Sequence, residues 1–145
     1  MTVKQISAFL ENKPGALAAF AKILQSSGID LRALSLAETE DSGIVRVIVD
    51  DAYKTVQILK EEGYVCSVTP VLAVVFEDKP GALVNVLNLL GDNGINLEYS
   101  YAFLAKRANS ACMIFCVADN EAAIKVLTAN GLKPICQDDL ESMFK

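Results

Sequence analysis

Hydrophobic and polar positions follow a fixed order along the first half of the chain. The segment "VKQISAFLE" at 3–11 has the β-branched and apolar content of a strand. Leu17, Phe20 and Leu24 then recur at helical spacing, and Gly28 stands where a helix would end in a left-handed residue. The pattern therefore predicts a strand followed by an amphipathic helix.

The hydrophobic pattern next changes from helical to alternating. The segments "IDLRALSLAE" and "SGIVRVIVD" alternate around the polar cluster "TEDSG", which predicts a hairpin. A second helix follows at 52–62, capped by Asp50 or Asp51 and ended by Gly63, before the short strand "YVCSVTP". The unit is therefore strand, helix, strand, strand, helix, strand.

The second half of the chain repeats this order. "ENKPGAL" at 11–17 returns as "EDKPGAL" at 77–83, a shift of 66 positions. The repeat contains "INLEYSYAFLA", a turn at "KRAN", "SACMIFCVA", a helix capped by Asp119 and the expected strand "LKPICQ". This order is that of the ferredoxin-like βαββαβ unit, in which right-handed crossovers put both helices on one face of a four-stranded antiparallel sheet.

The duplication predicts an α+β protein with two tandem ferredoxin-like units. We expect a first domain at 1–70, a second at 71–137 and a short C-terminal tail at 138–145. Units of this size are near the lower limit for a self-sufficient core, so we expect the two to pack as a pseudo-dimer. The segment "SVTPVLAVV" runs from the last strand of the first unit into the first strand of the second with no Pro/Gly/Ser-rich linker, which predicts a close, rigid junction between them.

Composition and charge exclude several partners. The chain is 52% hydrophobic, has a net charge of −5 and contains no basic block, which argues against nucleic acid and anionic membranes. No apolar run approaches the length of a membrane helix, and the N-terminus does not resemble a signal peptide. We therefore expect a cytoplasmic protein.

The residue types also argue against catalysis. The chain has no histidine, which removes the usual general base, and its four cysteines show no metal-ligand spacing. We expect neither enzymatic activity nor a cofactor or metal site, and we expect the four cysteines to be small core residues.

The repeated Pro-Gly corner offers main-chain groups to a ligand. With proline at the first helical position, the amides of Gly15, Ala16 and Leu17 should be unpaired at the positive end of the helix dipole. A small carboxylate could bind there. Asn12 offers both a donor and an acceptor, whereas Asp78 in the second copy offers only acceptors, so the two corners should differ. On chemistry alone, a simple helix start without a ligand stays an alternative.

The two segments "ENKPGALAAFAKILQSSGIDL" and "EDKPGALVNVLNLLGDNGINL" resemble the ACT domain, the small-molecule-sensing module of amino-acid metabolism. The resemblance implies amino-acid binding at the interface of two paired domains, between the corner of one and the strand after the helix of its neighbour. The ligand-binding residues that it implies are Asn12, Gly15, Ala16, Leu17, Ile29, Asp30 and Leu31 in the first copy, with Asp78, Gly81, Ala82, Leu83, Ile95, Asn96 and Leu97 in the second.

The chain departs from serine-sensing ACT domains at one position in each copy. Those domains carry a histidine two residues before the corner asparagine, where this chain has Leu10 and, in the second copy, Phe76. The departure favours a ligand with a less polar side chain.

The resemblance implies a non-catalytic regulatory sensor of a free amino acid. It would act on a metabolic enzyme or regulator, and two chains could pair as a homodimer. The alternatives are a small ferredoxin-like enzyme and a protein–protein assembly adaptor without a ligand.

Overall fold

The computed structural model describes residues 1–38, 41–104 and 108–143. Its elements follow the predicted order: β1 (Val3–Glu11), α1 (Ala16–Ser26), β2 (Leu31–Glu38), β3 (Ser42–Val49), α2 (Ala52–Glu61), β4 (Cys66–Glu77), α3 (Ala82–Asp92), β5 (Leu97–Ala102), β6 (Ser110–Val117), α4 (Asn120–Ala129) and α5 (Asp139–Met143). The predicted turns "TEDSG" and "KRAN" lie partly outside the described residues. None of the helices in the described ranges is long and apolar enough to cross a membrane.

The chain divides into two compact units. The N-terminal unit is Lys4–Thr69, and the C-terminal unit is Pro70–Lys145 together with Met1–Val3. Strand β4 supplies residues to both, because "SVTP" and the following "VLAVV" belong to one continuous strand.

The N-terminal unit has the ferredoxin-like arrangement. Its sheet has the order β2-β3-β1, and all of these pairs are antiparallel. The N–H of Phe9 also donates to the carbonyl of Val65 at 3.2 Å, which brings the segment after α2 to the side of β1 that faces away from β3. Helix residues Phe20, Leu24 and Leu59 pack with alternate strand residues in one core, so both helices cover the same face of the sheet.

The C-terminal unit repeats this arrangement with the order β4-β6-β5. Its core joins strand residues such as Leu72 and Phe115 to Leu90 and Leu127 of the helices. The α+β class and the tandem ferredoxin-like units are confirmed.

One predicted strand does not form. The segment "LKPICQ" has no assigned strand, and Ile135 makes its main-chain bond to β4 by donating to the carbonyl of Ala73 at 2.9 Å. Pro134 stands where the first copy has Cys66. The proline ring fixes φ near −65°, far from the value of about −140° in an antiparallel strand, and it has no N–H to donate, so it opposes regular pairing of this segment with β4.

The helix ends follow the local sequence signals. The side chains of Asp51 and Asp119 accept hydrogen bonds from the N–H groups of Lys54 and Ala122, at 3.0 Å and 3.1 Å. Gly28, Gly63, Gly94 and Gly131 all have positive φ after a helix. These predicted caps are confirmed.

Candidate functional site

Each Pro-Gly corner is a tight turn that precedes a helix. In the first corner, Gly15 has φ 85° and ψ −9°, and the N–H of Ala16 donates to the carbonyl of Lys13 at 3.3 Å. Proline at the second position and a positive φ at the third are the features of a type II turn. Because α1 begins at Ala16, Pro14 lies outside it, and the prediction of proline at the first helical position was wrong.

The turn uses one of the main-chain N–H groups that the sequence had left for a ligand. The N–H of Ala16 donates to the carbonyl of Lys13, so the prediction that this amide is unpaired was wrong. Within the described part of the chain, the N–H groups of Gly15 and Leu17 have no hydrogen-bond partner, and no side chain caps α1. Two amides therefore stay available near the positive end of the helix dipole.

The second corner has the same geometry. Gly81 has φ 88° and ψ −16°, and the N–H of Ala82 donates to the carbonyl of Lys79 at 3.2 Å. A Cβ added to Gly15 or Gly81 would meet no atom within 4 Å. Glycine is therefore required by the backbone angle rather than by close contact with protein atoms.

A cavity of about 290 Å³ lies beside the first corner. Its polar lining includes Asn12, whose side chain bonds to no other described residue. Its apolar lining comes from Leu10 at the end of β1, Leu17 in the first turn of α1 and Leu36 near the end of β2. The remaining lining residues are Glu11, Lys13, Ala16, Glu38 and Gly43.

A second cavity, of about 270 Å³, lies beside the second corner. Asp78 stands at the position of Asn12, and Phe76 and Leu83 replace Leu10 and Leu17. Its other lining residues are Glu77, Lys79, Ala102, Phe103, Ala111, Cys112 and Met113. The duplication thus produces two cavities of similar size with different chemistry.

An exposed ion pair borders each cavity. Lys13 Nζ lies 2.8 Å from Glu11 Oε2, and Lys79 Nζ lies 2.6 Å from Glu77 Oε2. The hydrogen bond and charge of Lys13 lower the pKa of Glu11, and Glu11 in turn raises the pKa of Lys13. Lys79 lowers the pKa of Glu77 in the same way. The two corners therefore share this ion pair and differ at the equivalent positions of Asn12 and Asp78.

Comparison with known proteins identifies the family. The family model described as an ACT domain pair matches residues 1–144. The chain belongs to the ACT domain pair family. The ACT domain is a regulatory module, and the match indicates no catalytic family.

Solved structures share the fold of this ACT domain pair. A protein from Bacteroides thetaiotaomicron is 34% identical with a TM-score of 0.89, over 97% of this chain and 96% of that one. The regulatory subunit of aspartate kinase from Thermus thermophilus, in its ligand-free form, is 17% identical with a TM-score of 0.64, over 87% and 90%. The corresponding subunit from Thermus flavus is 16% identical with a TM-score of 0.60, over the same shares. No curated protein matches the chain.

The predicted site residues of this ACT pair fall into two groups. Asn12, Ala16 and Leu17 line the first cavity, as Asp78 and Leu83 line the second, while Ala82 lines a separate groove. The predicted residues Gly15 and Gly81 line neither corner cavity. The second group is the segments 29–31 and 95–97, which follow α1 and α3. Ile29 and Ile95 pack in the cores of their units. Neither segment lines the corner cavity of its own unit. Asp30, Leu31, Asn96 and Leu97 as ligand contacts stay a prediction.

Several cavity residues were missed in the sequence. Leu36, Glu38 and Gly43 come from the β2–β3 hairpin, and Gly43 lies opposite Leu10 in the strand register. No local sequence signal marks them, because the register between β1 and β3 depends on pairing between distant segments. At the second corner, burial raises the pKa of the Cys112 thiol to about 12, so this cysteine is a neutral lining group at physiological pH.

The described residues contain no group of three or more histidine, cysteine, aspartate or glutamate side chains that could hold a metal ion. The corners offer main-chain amides, the side chain of Asn12 or Asp78, glutamate carboxylates and apolar walls.

Proposed function

We propose that this ACT domain pair is a regulatory sensor that binds a free α-amino acid beside the Pro-Gly corner of its N-terminal unit. The observation that carries the proposal is the cavity of about 290 Å³, whose lining joins Leu17 with its unpaired main-chain N–H, the free Asn12 side chain and an apolar wall. Its volume is at the lower end of the range for small-molecule sites, roughly 300–1,000 Å³, and suits a single amino acid better than a nucleotide.

The three parts of the cavity match the three parts of an amino acid. The N–H group of Leu17 would donate to the α-carboxylate, and the Asn12 carbonyl oxygen would accept from the α-ammonium group. The helix dipole contributes only about 0.3–1 kcal/mol at an exposed site. Burial of an aliphatic side chain against Leu10, Leu17 and Leu36 contributes more, about 1.5–3 kcal/mol, so side-chain burial should select the ligand.

The regulatory part of the proposal comes from the family. The structures from Thermus are regulatory subunits of aspartate kinase, and we propose by analogy that this chain acts on a metabolic enzyme or regulator. All four cysteines are free thiols, as expected in a reducing compartment, and we propose a cytoplasmic location.

A thermal-shift screen of the common amino acids tests this proposal. A ligand at about 100 times its dissociation constant adds about 2.7 kcal/mol of stability, which for this chain length raises the Tm by roughly 5–10 °C. We expect an aliphatic amino acid to give the largest shift. Asn12→Ala should remove most of the shift, and the matched variant Asp78→Ala should keep it. If no amino acid changes the Tm, the sensor proposal fails; an equal loss in both variants places the ligand elsewhere.

A further inference from the structure

The edge of β4 that faces away from β6 is incompletely paired. The carbonyl of Ala73 accepts from the N–H of Ile135, so the main-chain groups of Ala73 point to this edge. Main-chain groups of residues two apart in a strand point the same way, so those of Val75 face the edge as well. The N–H of Val75 nevertheless has no hydrogen-bond partner among the residues that the structure describes.

The N-terminal unit satisfies the equivalent position from within. Phe9 occupies the place of Val75 in the repeat, and its N–H donates to the carbonyl of Val65 at 3.2 Å. The residue that corresponds to Val65 is Lys133, which precedes Pro134. The proline is thus associated with the loss of a strand bond that the first copy retains.

A groove opens where this bond is missing. It has a volume of about 760 Å³, against about 390 Å³ for the equivalent cavity of the N-terminal unit. Val75, Phe76, Val86, Leu89 and Leu132 supply its apolar surface, and Asn85, Asn88 and Asn130 supply side-chain amides.

The charges of the groove are unevenly compensated. Glu77 is paired with Lys79 at 2.6 Å, whereas Asp92 forms no salt bridge with any described residue. The groove therefore presents main-chain and side-chain amides, an apolar surface and one uncompensated carboxylate.

We propose that this groove binds an extended peptide segment of a partner protein, which adds a strand to the β4 edge at Val75 and carries a basic residue toward Asp92. Peptide main-chain groups match the free main-chain edge and the side-chain amides of Asn85 and Asn88, each of which both donates and accepts. Alternate side chains of an extended segment would contact the apolar surface, and the negative charge of Asp92 selects a cationic partner. The inference goes beyond amino-acid sensing and does not depend on it.

The first copy supplies a probe for the experiment. Residues 64–69, "YVCSVT", follow the second helix of the N-terminal unit and include Val65, the partner of Phe9. A fluorescein-labelled peptide with serine in place of the cysteine and a lysine at each end, KYVSSVTK, is titrated with the full chain and followed by fluorescence anisotropy. The control peptide has glutamate at each end, EYVSSVTE.

Matched variants separate the groove from its counterpart. Asn85→Trp fills the groove, whereas Ala19→Trp places the same side chain at the equivalent position of the N-terminal unit. We expect saturable binding of the lysine peptide, at least a tenfold loss with Asn85→Trp and no change with Ala19→Trp. Asp92→Asn should weaken binding of the lysine peptide roughly two- to fivefold, as for an exposed charge pair. The affinities of this variant for the lysine and glutamate peptides should then be close to each other.

Three outcomes overturn the proposal. The first is the absence of binding up to about 1 mM peptide, and the second is equal binding by wild type and Asn85→Trp. The third is a chain that sediments as a dimer, is made monomeric by Asn85→Trp and binds no peptide, because the groove then belongs to a second copy. The amino-acid thermal shifts test the corner cavities in a separate experiment, so a negative result with the peptide leaves the sensor proposal intact.

Discussion

At the scale of single residues, the corner glycines have a conformational role. Gly15 has φ 85°, and an added Cβ would contact nothing within 4 Å. The sequence interpretation gave this glycine an unpaired main-chain amide for a ligand. The turn itself already requires glycine there, because an L-residue in the left-handed region is strained.

Gly15→Ala should therefore destabilise the fold even without a ligand. We expect a loss of about 1–2 kcal/mol in the free energy of unfolding, from the cost of left-handed backbone for an L-residue. The measurement is urea denaturation followed by circular dichroism. The matched control is Gly91→Ala, within α3, where φ is not positive and the added Cβ meets nothing within 4 Å. This variant should be more stable by about 0.5–1 kcal/mol, and a loss in both variants would contradict the assignment.

The contrast between the corners could be predicted from single residues, but the turn geometry could not. Asn12 and Asp78 differ in the printed sequence, and both line the cavities of their corners. The position of Pro14 was mistaken because proline is favoured both at the first helical position and at the second position of a turn. The bond from Ala16 to Lys13 and the positive φ of Gly15 distinguish these two structures.

At the scale of elements, prediction succeeded where the signals were local. The caps by Asp51 and Asp119 and the left-handed glycines after each helix depend on residues within one turn. The missing strand at "LKPICQ" was mispredicted because the repeat suggested pairing that Pro134 opposes. A proline that replaces one residue of a repeated strand changes the element while the hydrophobic pattern stays similar.

Pro134→Val should restore pairing along the β4 edge. Valine permits the extended backbone angles that proline forbids, so Lys133 could accept a hydrogen bond from Val75 as Val65 does from Phe9. We expect slower hydrogen exchange at the Val75 amide, measured by NMR, together with weaker binding of the lysine peptide. The Phe9 amide serves as an internal control, since its bond is already formed. Unchanged exchange at Val75 would show that proline is not what keeps this edge unpaired.

At the scale of the whole molecule, the duplication determined most of what could be predicted. The repeat of "KPGAL" at a fixed distance gave the two units, their class and the existence of two corners. The cavity walls depend instead on strand register, which brings Leu36 and Gly43 of the hairpin beside the corner. Register is set by pairing between distant segments, and the hydrophobic pattern of a single strand does not reveal which residues lie opposite.

Duplication with divergence predicts a single amino-acid site per chain. The carboxylate of Asp78 would repel a ligand carboxylate at the second corner by about 1–4 kcal/mol at 4 Å, depending on the effective dielectric constant. This exceeds the favourable contribution of about 0.3–1 kcal/mol from an exposed helix dipole. Asn12 carries no charge, so the first corner lacks this penalty at the equivalent position, and the carboxylate that lines its cavity without an ion pair to any described residue is Glu38, at the end of β2.

Isothermal titration calorimetry, with the amino acid that the thermal-shift screen identifies, measures the number of binding sites per chain. We expect one ligand per chain for wild type, none for Asn12→Asp and a second, weaker site for Asp78→Asn. The two substitutions exchange the side chains of equivalent positions, so each variant is the control for the other. Two equal sites in wild type would contradict the charge argument, because both corners would then accept a carboxylate despite Asp78. One site that persists in Asn12→Asp would place the ligand away from the first corner.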